Sequence, residues 1–130
     1  MRQTVWVTIE GIKYEVEVDY LIGDKCELTV KLPHGKCLYS VGDDLFICLE
    51  MLRRRYPGVI FLCKGARKNV YPSRMSRQMA HGLVAYEYTM GKPAKNDNIV
   101  NIFEFDDKEI SLTPDEQENN YQRWLSSLMI

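Results

Sequence analysis

Polar and apolar positions in the first forty residues alternate with a period of two. Val5, Val7 and Ile9 stand against Thr4, Trp6 and Thr8. Past a Glu10-Gly11 turn signal, Ile12, Tyr14, Val16 and Val18 stand against Lys13, Glu15, Glu17 and Asp19. The pattern predicts a tight hairpin with one buried and one wetted face. After Gly23-Asp24, Cys26, Leu28, Val30 and Leu32 repeat it against Lys25, Glu27, Thr29 and Lys31. Pro33-His34-Gly35-Lys36 then closes a second hairpin into a short strand, Cys37 to Tyr39, with Cys37 placed opposite Leu32. The N-terminal third reads as an antiparallel meander.

The period then changes. Leu45, Leu49 and Leu52, with Phe46, Cys48 and Tyr56 beside them, form a broad apolar stripe and predict a helix over about 43–56. Ser40 or Asp43 can cap its start, Arg53-Arg54-Arg55 fall where the helix dipole favours cations, and Pro57 ends it. Val59 to Cys63 is an unbroken apolar run between Pro57-Gly58 and Lys64-Gly65, which predicts a central strand covered on both faces. Pro72-Ser73 can open a short helix from Arg74 to Ala80, with Met75 and Met79 facing inward and Gly82 as the stop. Strands are expected over Leu83 to Met90 and Ile99 to Phe105, with a loop between them. Thr113-Pro114-Asp115-Glu116 is a capping box with proline at the first helical position. Tyr121, Trp124, Leu125 and Leu128 continue it as a second main helix over about 114–128. The sum is one α+β domain spanning 1–130: a mostly antiparallel sheet with an N-terminal β-meander, a central strand at 59–63 and two main helices.

Charge changes the picture more than composition does. The net charge of −1 conceals a division. Met1 to Glu50 holds nine acids and five Lys/Arg, Leu52 to Tyr86 holds eight Lys/Arg and no acid, and Glu87 to Ile130 holds nine acids and four Lys/Arg. Either folding lays the acidic arms against the basic middle and neutralises it, or separate charged faces steer charged partners. Met1-Arg2-Gln3 leads into a strand pattern without the apolar region of a signal peptide, and no run approaches the roughly 20 residues that cross a bilayer. Cys26, Cys37, Cys48 and Cys63 are too dispersed for a C-x-x-C pair. The expectation is a cytoplasmic protein with reduced thiols and no membrane partner.

Candidate chemistry is sparse. His34 and His81 stand apart, so no metal site is expected. A Cys63–His81 nucleophile pair has no support beyond the presence of both residues. Lys64-Gly65-Ala66-Arg67 lacks the order of a phosphate loop. Glu15, Glu17 and Asp19 lie on a wet strand face and Asp106, Asp107 and Glu109 in a turn, where nothing raises a carboxyl pKa for catalysis. No catalytic residue and no cofactor are expected, and the chain is not read as an enzyme. One constellation does suit nucleic acid: Lys64, Arg67, Lys68, Arg74 and Arg77, interleaved with Tyr71, could hold phosphates and stack a base. The same cations could instead tie their loop to backbone carbonyls or to the acidic arms.

The stretch from Cys63 to Phe103, with GARKNVYPSRM, the spaced Met79, HGLVAY, and GKPA followed by NIF, resembles small cytosolic bacterial immunity proteins of contact-dependent growth inhibition systems. The resemblance implies a non-enzymatic inhibitor that binds one cognate toxin domain, often a nuclease. The net charge of −1 departs from the strongly acidic inhibitors of nucleases, so only one arm or face could mimic nucleic acid. The concentrated acids are Glu104, Asp106, Asp107 and Glu109, and these are the expected partner-binding residues. The basic loop of Lys64, Arg67, Lys68, Arg74 and Arg77 is the rival surface, whether for an acidic toxin face or, in the alternative reading as an accessory domain, for RNA.

Overall fold

The alternating third folds into four antiparallel strands: β1 (Arg2–Ile9), β2 (Ile12–Leu21), β3 (Cys26–Lys31) and β4 (Cys37–Gly42). The computed structural model describes residues 1–129. Glu10 and Gly11 both take positive φ, 51° and 79°, the turn whose twist suits a two-residue hairpin. Val5, Val7, Val16, Val18, Leu28 and Val30 bury one face of this sheet. In the second hairpin the Leu32 N–H donates to the Lys36 carbonyl at 2.7 Å, which moves the expected register by one: Cys37 lies opposite Lys31.

Helix α1 (Leu45–Arg55) packs Leu45, Leu49 and Leu52 on the apolar face. Its cap is Asp44, whose Oδ1 accepts from the Ile47 N–H at 2.8 Å. Strand β5 (Val59–Leu62) follows and pairs with β1, Phe61 opposite Val7, so the sheet order is β4-β3-β2-β1-β5. This corrects the expectation of a central strand at 59–63. The strand is at the sheet edge, and Ile60 is 40% exposed although Phe61, Leu62 and Cys63 are buried. Its covered end lies beside an irregular segment: Cys63 bridges Phe105, the Asp106 N–H donates to the Leu62 carbonyl at 3.3 Å and the Lys64 N–H to the Glu104 carbonyl at 2.8 Å. An apolar run records that something covers it, and here a loop does so where a strand was expected.

A second sheet holds β6 (Val70–Tyr71), β7 (Val84–Glu87) and β8 (Ile99–Asn101) in that order. The last two are shorter than their apolar patterns; Asn101 Oδ1 accepts from the Phe103 N–H at 2.8 Å and turns the chain. Helix α2 (Arg74–Met79) forms as expected, but Met75 and Met79 point outward, 71% and 79% exposed. Arg77 takes the inner side instead. Its guanidinium lies 5.4 Å from the Phe46 ring and 5.3 Å from the Tyr71 ring and pairs with Asp44 at 2.8 Å. Helix α3 (Pro114–Ser127) is capped by Thr113, and its buried side is Pro114, Gln117 and Trp124, with Leu125 left exposed. The molecule is α+β, and the 64–70 loop and the 102–110 segment fill the space where the two sheets and α3 meet.

Candidate functional site

The basic loop is fixed from behind before it meets any charge. Gly65 lies so close to α1 and the 102 backbone that a Cβ would come within 2.9 Å of Leu49 Cδ2 and Ile102 Cβ. Gln117, fully buried, aims its amide nitrogen at the carbonyls of Gly65 (2.8 Å), Arg67 (2.8 Å) and Val70 (3.0 Å), its two hydrogens shared among them. Its Oε1 accepts from Arg53 Nη1 at 3.0 Å. Arg53 is buried too, and its Nη2 donates to the Ser111 carbonyl (3.1 Å) and Oγ (2.6 Å), while that hydroxyl donates to the Ala66 carbonyl at 2.7 Å. The first arginine of the Arg53-Arg54-Arg55 run is therefore a clamp inside the protein. Arg54 pairs with Asp115 at 2.7 Å.

In front of the clamp the two rival charge sets meet each other. Lys64 Nζ lies 2.8 Å from Glu87 and 2.9 Å from Asp106. Arg67 Nη1 lies 2.6 Å from Asp106, and its Nη2 lies 3.2 Å from Glu109. The side chains of Lys64, Arg67 and Asp106 are only 14%, 12% and 11% exposed, whereas Glu109 remains 64% exposed. Burial pushes the Asp106 pKa up, but the Lys108 N–H, Lys64 and Arg67 together pull it well below the usual carboxylate range. Of the expected acidic residues, Asp106 is thus an internal anchor, while Glu104, Asp107 and Glu109 are at the surface. The basic set disperses: Lys64 and Arg67 sink under carboxylates, Arg77 packs against Asp44, and only Lys68 and Arg74 are exposed without a carboxylate partner among the described residues. Tyr71, the residue suited to stacking a base, stacks on Tyr121 at 4.2 Å.

The anchored turn abuts the polar face of the five-stranded sheet. Phe105, 46% exposed, and Trp6 lie on either side of Lys13, whose Nζ is 4.9 Å from the first ring and 5.1 Å from the second. Trp6 is opposite Glu15 on β2, and Glu17 follows on the same face. Lys13 thus links the Phe105 ring of the anchored turn to the Trp6 ring of the sheet face that carries Glu15, while Glu104 and Asp107 are exposed on the turn beside Phe105. Sequence reasoning missed the aromatic pair, although Trp6 already occupied a polar position of the β1 alternation.

Two buried thiols are held in their neutral form. The Cys63 thiol is pushed up to about 12 and the Cys48 thiol to about 11, in both cases chiefly by burial. What this arrangement can do is present a rigid, charged and aromatic surface. Compared with known proteins, the chain matches no family model and no curated protein.

Proposed function

We propose that this protein is a non-catalytic immunity protein of the bacterial cytosol that binds a cognate toxin domain, with a nuclease as the favoured class. The observation that carries the reading is the arrangement of the cluster: Lys64 and Arg67 lie beneath the carboxylates, and Phe105 stands among the outward acids. An aromatic centre with a charged rim is the usual anatomy of a protein interface. A nuclease must expose a positive cleft to its substrate, and outward carboxylates complement it. Phe105 supplies contact area, Glu104 and Asp107 supply steering, and the buried ion pairs keep the turn in one shape, which lowers the ordering cost of binding.

The test is to look for a toxin domain encoded beside this gene and to use it in titration calorimetry and growth protection; a locus with no such domain counts against the reading. Changing Glu104 and Asp107 together to Lys should slow association and weaken binding, with little effect on melting. Phe105→Ala should raise the dissociation rate. Full protection by both variants would refute this surface. Salt-sensitive submicromolar binding of mixed oligonucleotides, lost on changing Lys68 and Arg74 to Ala, would replace the inhibitor reading with nucleic-acid recognition.

A further inference from the structure

The five-stranded sheet has two edges, and the fold treats them differently. Residues 104–106 cover the end of β5, while nothing among the described residues pairs along β4. The Leu32 N–H bond to the Lys36 carbonyl marks a bonded pair. Alternation along an antiparallel ladder then gives the backbones of Leu38 and Ser40 to β3 and turns those of Cys37, Tyr39 and Val41 outward. Arg55 Nη1 donates to the Tyr39 carbonyl from outside at 3.1 Å, in agreement with that direction. The three outward residues are also exposed at their side chains, Tyr39 at 48% and Val41 at 39%. No proline, bulge or lysine interrupts them, which are the usual devices that keep an edge from pairing.

We propose that β4 pairs antiparallel with β4 of a second copy of this chain, joining two five-stranded sheets into one about a two-fold axis at Tyr39. The edge is self-complementary in that register. Tyr39 meets its own counterpart, and Cys37 of each copy meets Val41 of the other, an apolar contact on both sides of the axis. Asp43, which follows the strand, is already paired with Lys25 of its own chain, so the match rests on side-chain size and backbone direction, and both agree with a closed, isologous pair. Six edge residues fall short of a standard-size interface, so the dimer is concentration-dependent. Arg55 competes with it by occupying the central carbonyl.

Sedimentation equilibrium of the full chain tests this. The expected result is a reversible monomer–dimer equilibrium across micromolar to millimolar protein. Arg55→Ala should move its midpoint several-fold towards lower concentration. Tyr39→Pro removes the central outward N–H at a place where an edge strand tolerates proline, and it should give a monomer with unchanged circular dichroism. Tyr39→Lys, which keeps the backbone donor but opposes two like charges, should do the same. Val41→Cys with oxidised glutathione should give a covalent dimer through Cys37, abolished by Cys37→Ser. A single monomeric species at every concentration would overturn the proposal. So would a dimer that survives both Tyr39 variants, or a Val41→Cys crosslink that does not need Cys37.

Discussion

At the residue scale, two side chains decide whether the candidate surface exists at all. Gln117 is fully buried and bonds three loop carbonyls and Arg53 at once. Gln117→Ala should cost about 3 kcal/mol, because buried acceptors and a buried guanidinium lose their partner together. Gln117→Glu should rescue little despite facing Arg53, since a carboxylate cannot donate to carbonyls; thermal melts of the two variants would check this. Asp106 is the second. Its folded pKa lies below the unfolded value, so its contribution is complete above about pH 5 and is lost as acid brings the pH down through the folded value. Asp106→Asn should therefore remove about 1.5–3 kcal/mol near neutrality and flatten the acid limb of a urea-stability series over pH 3–7. Reversing Asp106 together with Asp107 would damage this anchor along with any binding, so surface tests belong to Glu104 and Asp107. That the loop cations could tie down to the acidic arms was legible in the chain, but the particular partners were not. Glutamine at a helix position carries no apolar signal, and Lys64 and Asp106 are brought together only by the tertiary path.

At the scale of elements, legibility followed the range of the forces. The meander was readable because alternation is a local pattern, and α1 and α3 were readable because caps and stripes are local too. Helix α2 was placed correctly and faced wrongly. Met75 and Met79 have inward spacing, but the short helix turns Arg77 towards Asp44 and two aromatic rings. Asp44 thus serves two elements, capping α1 and holding α2, and Gly82, at φ 71°, leaves room beside its carboxylate. Asp44→Ala should cost about 2–3 kcal/mol, at or above the upper range of a lost cap, because the Arg77 pair is lost with it. Amide exchange should quicken at the start of α1 and in α2 together; an effect confined to α1 would show that the two are not coupled. Strand β5 carries a simpler expectation. Phe61 is 2% exposed, and Phe61→Ala should lower stability by about 3–5 kcal/mol in chemical denaturation even though the strand is at an edge.

For the whole molecule, the division of charge along the chain resolves into pairing across the fold. Glu87, Asp106, Glu109 and Asp115 from the last third, and Asp44 from the first, meet cations of the basic middle. The sequence-level choice between neutralisation and separate faces goes mostly to neutralisation, since folding alone decides which charges become neighbours. The bond between Arg67 and Asp106 spans 39 positions of chain and that between Arg67 and Glu109 spans 42. On the ribosome, the meander, α1 and β5 therefore emerge well before the segment that covers the β5 edge and meets Lys64 and Arg67. Contacts of that separation close late, after the local hairpins. Pulse-labelled hydrogen exchange during refolding should show the Lys64 and Asp106 amides gaining protection together and after those of β1 and β2. Until Glu104 and its neighbours have been synthesised, the newborn chain carries an uncovered strand and unmatched cations, so that interval of translation is when a chaperone has most to protect.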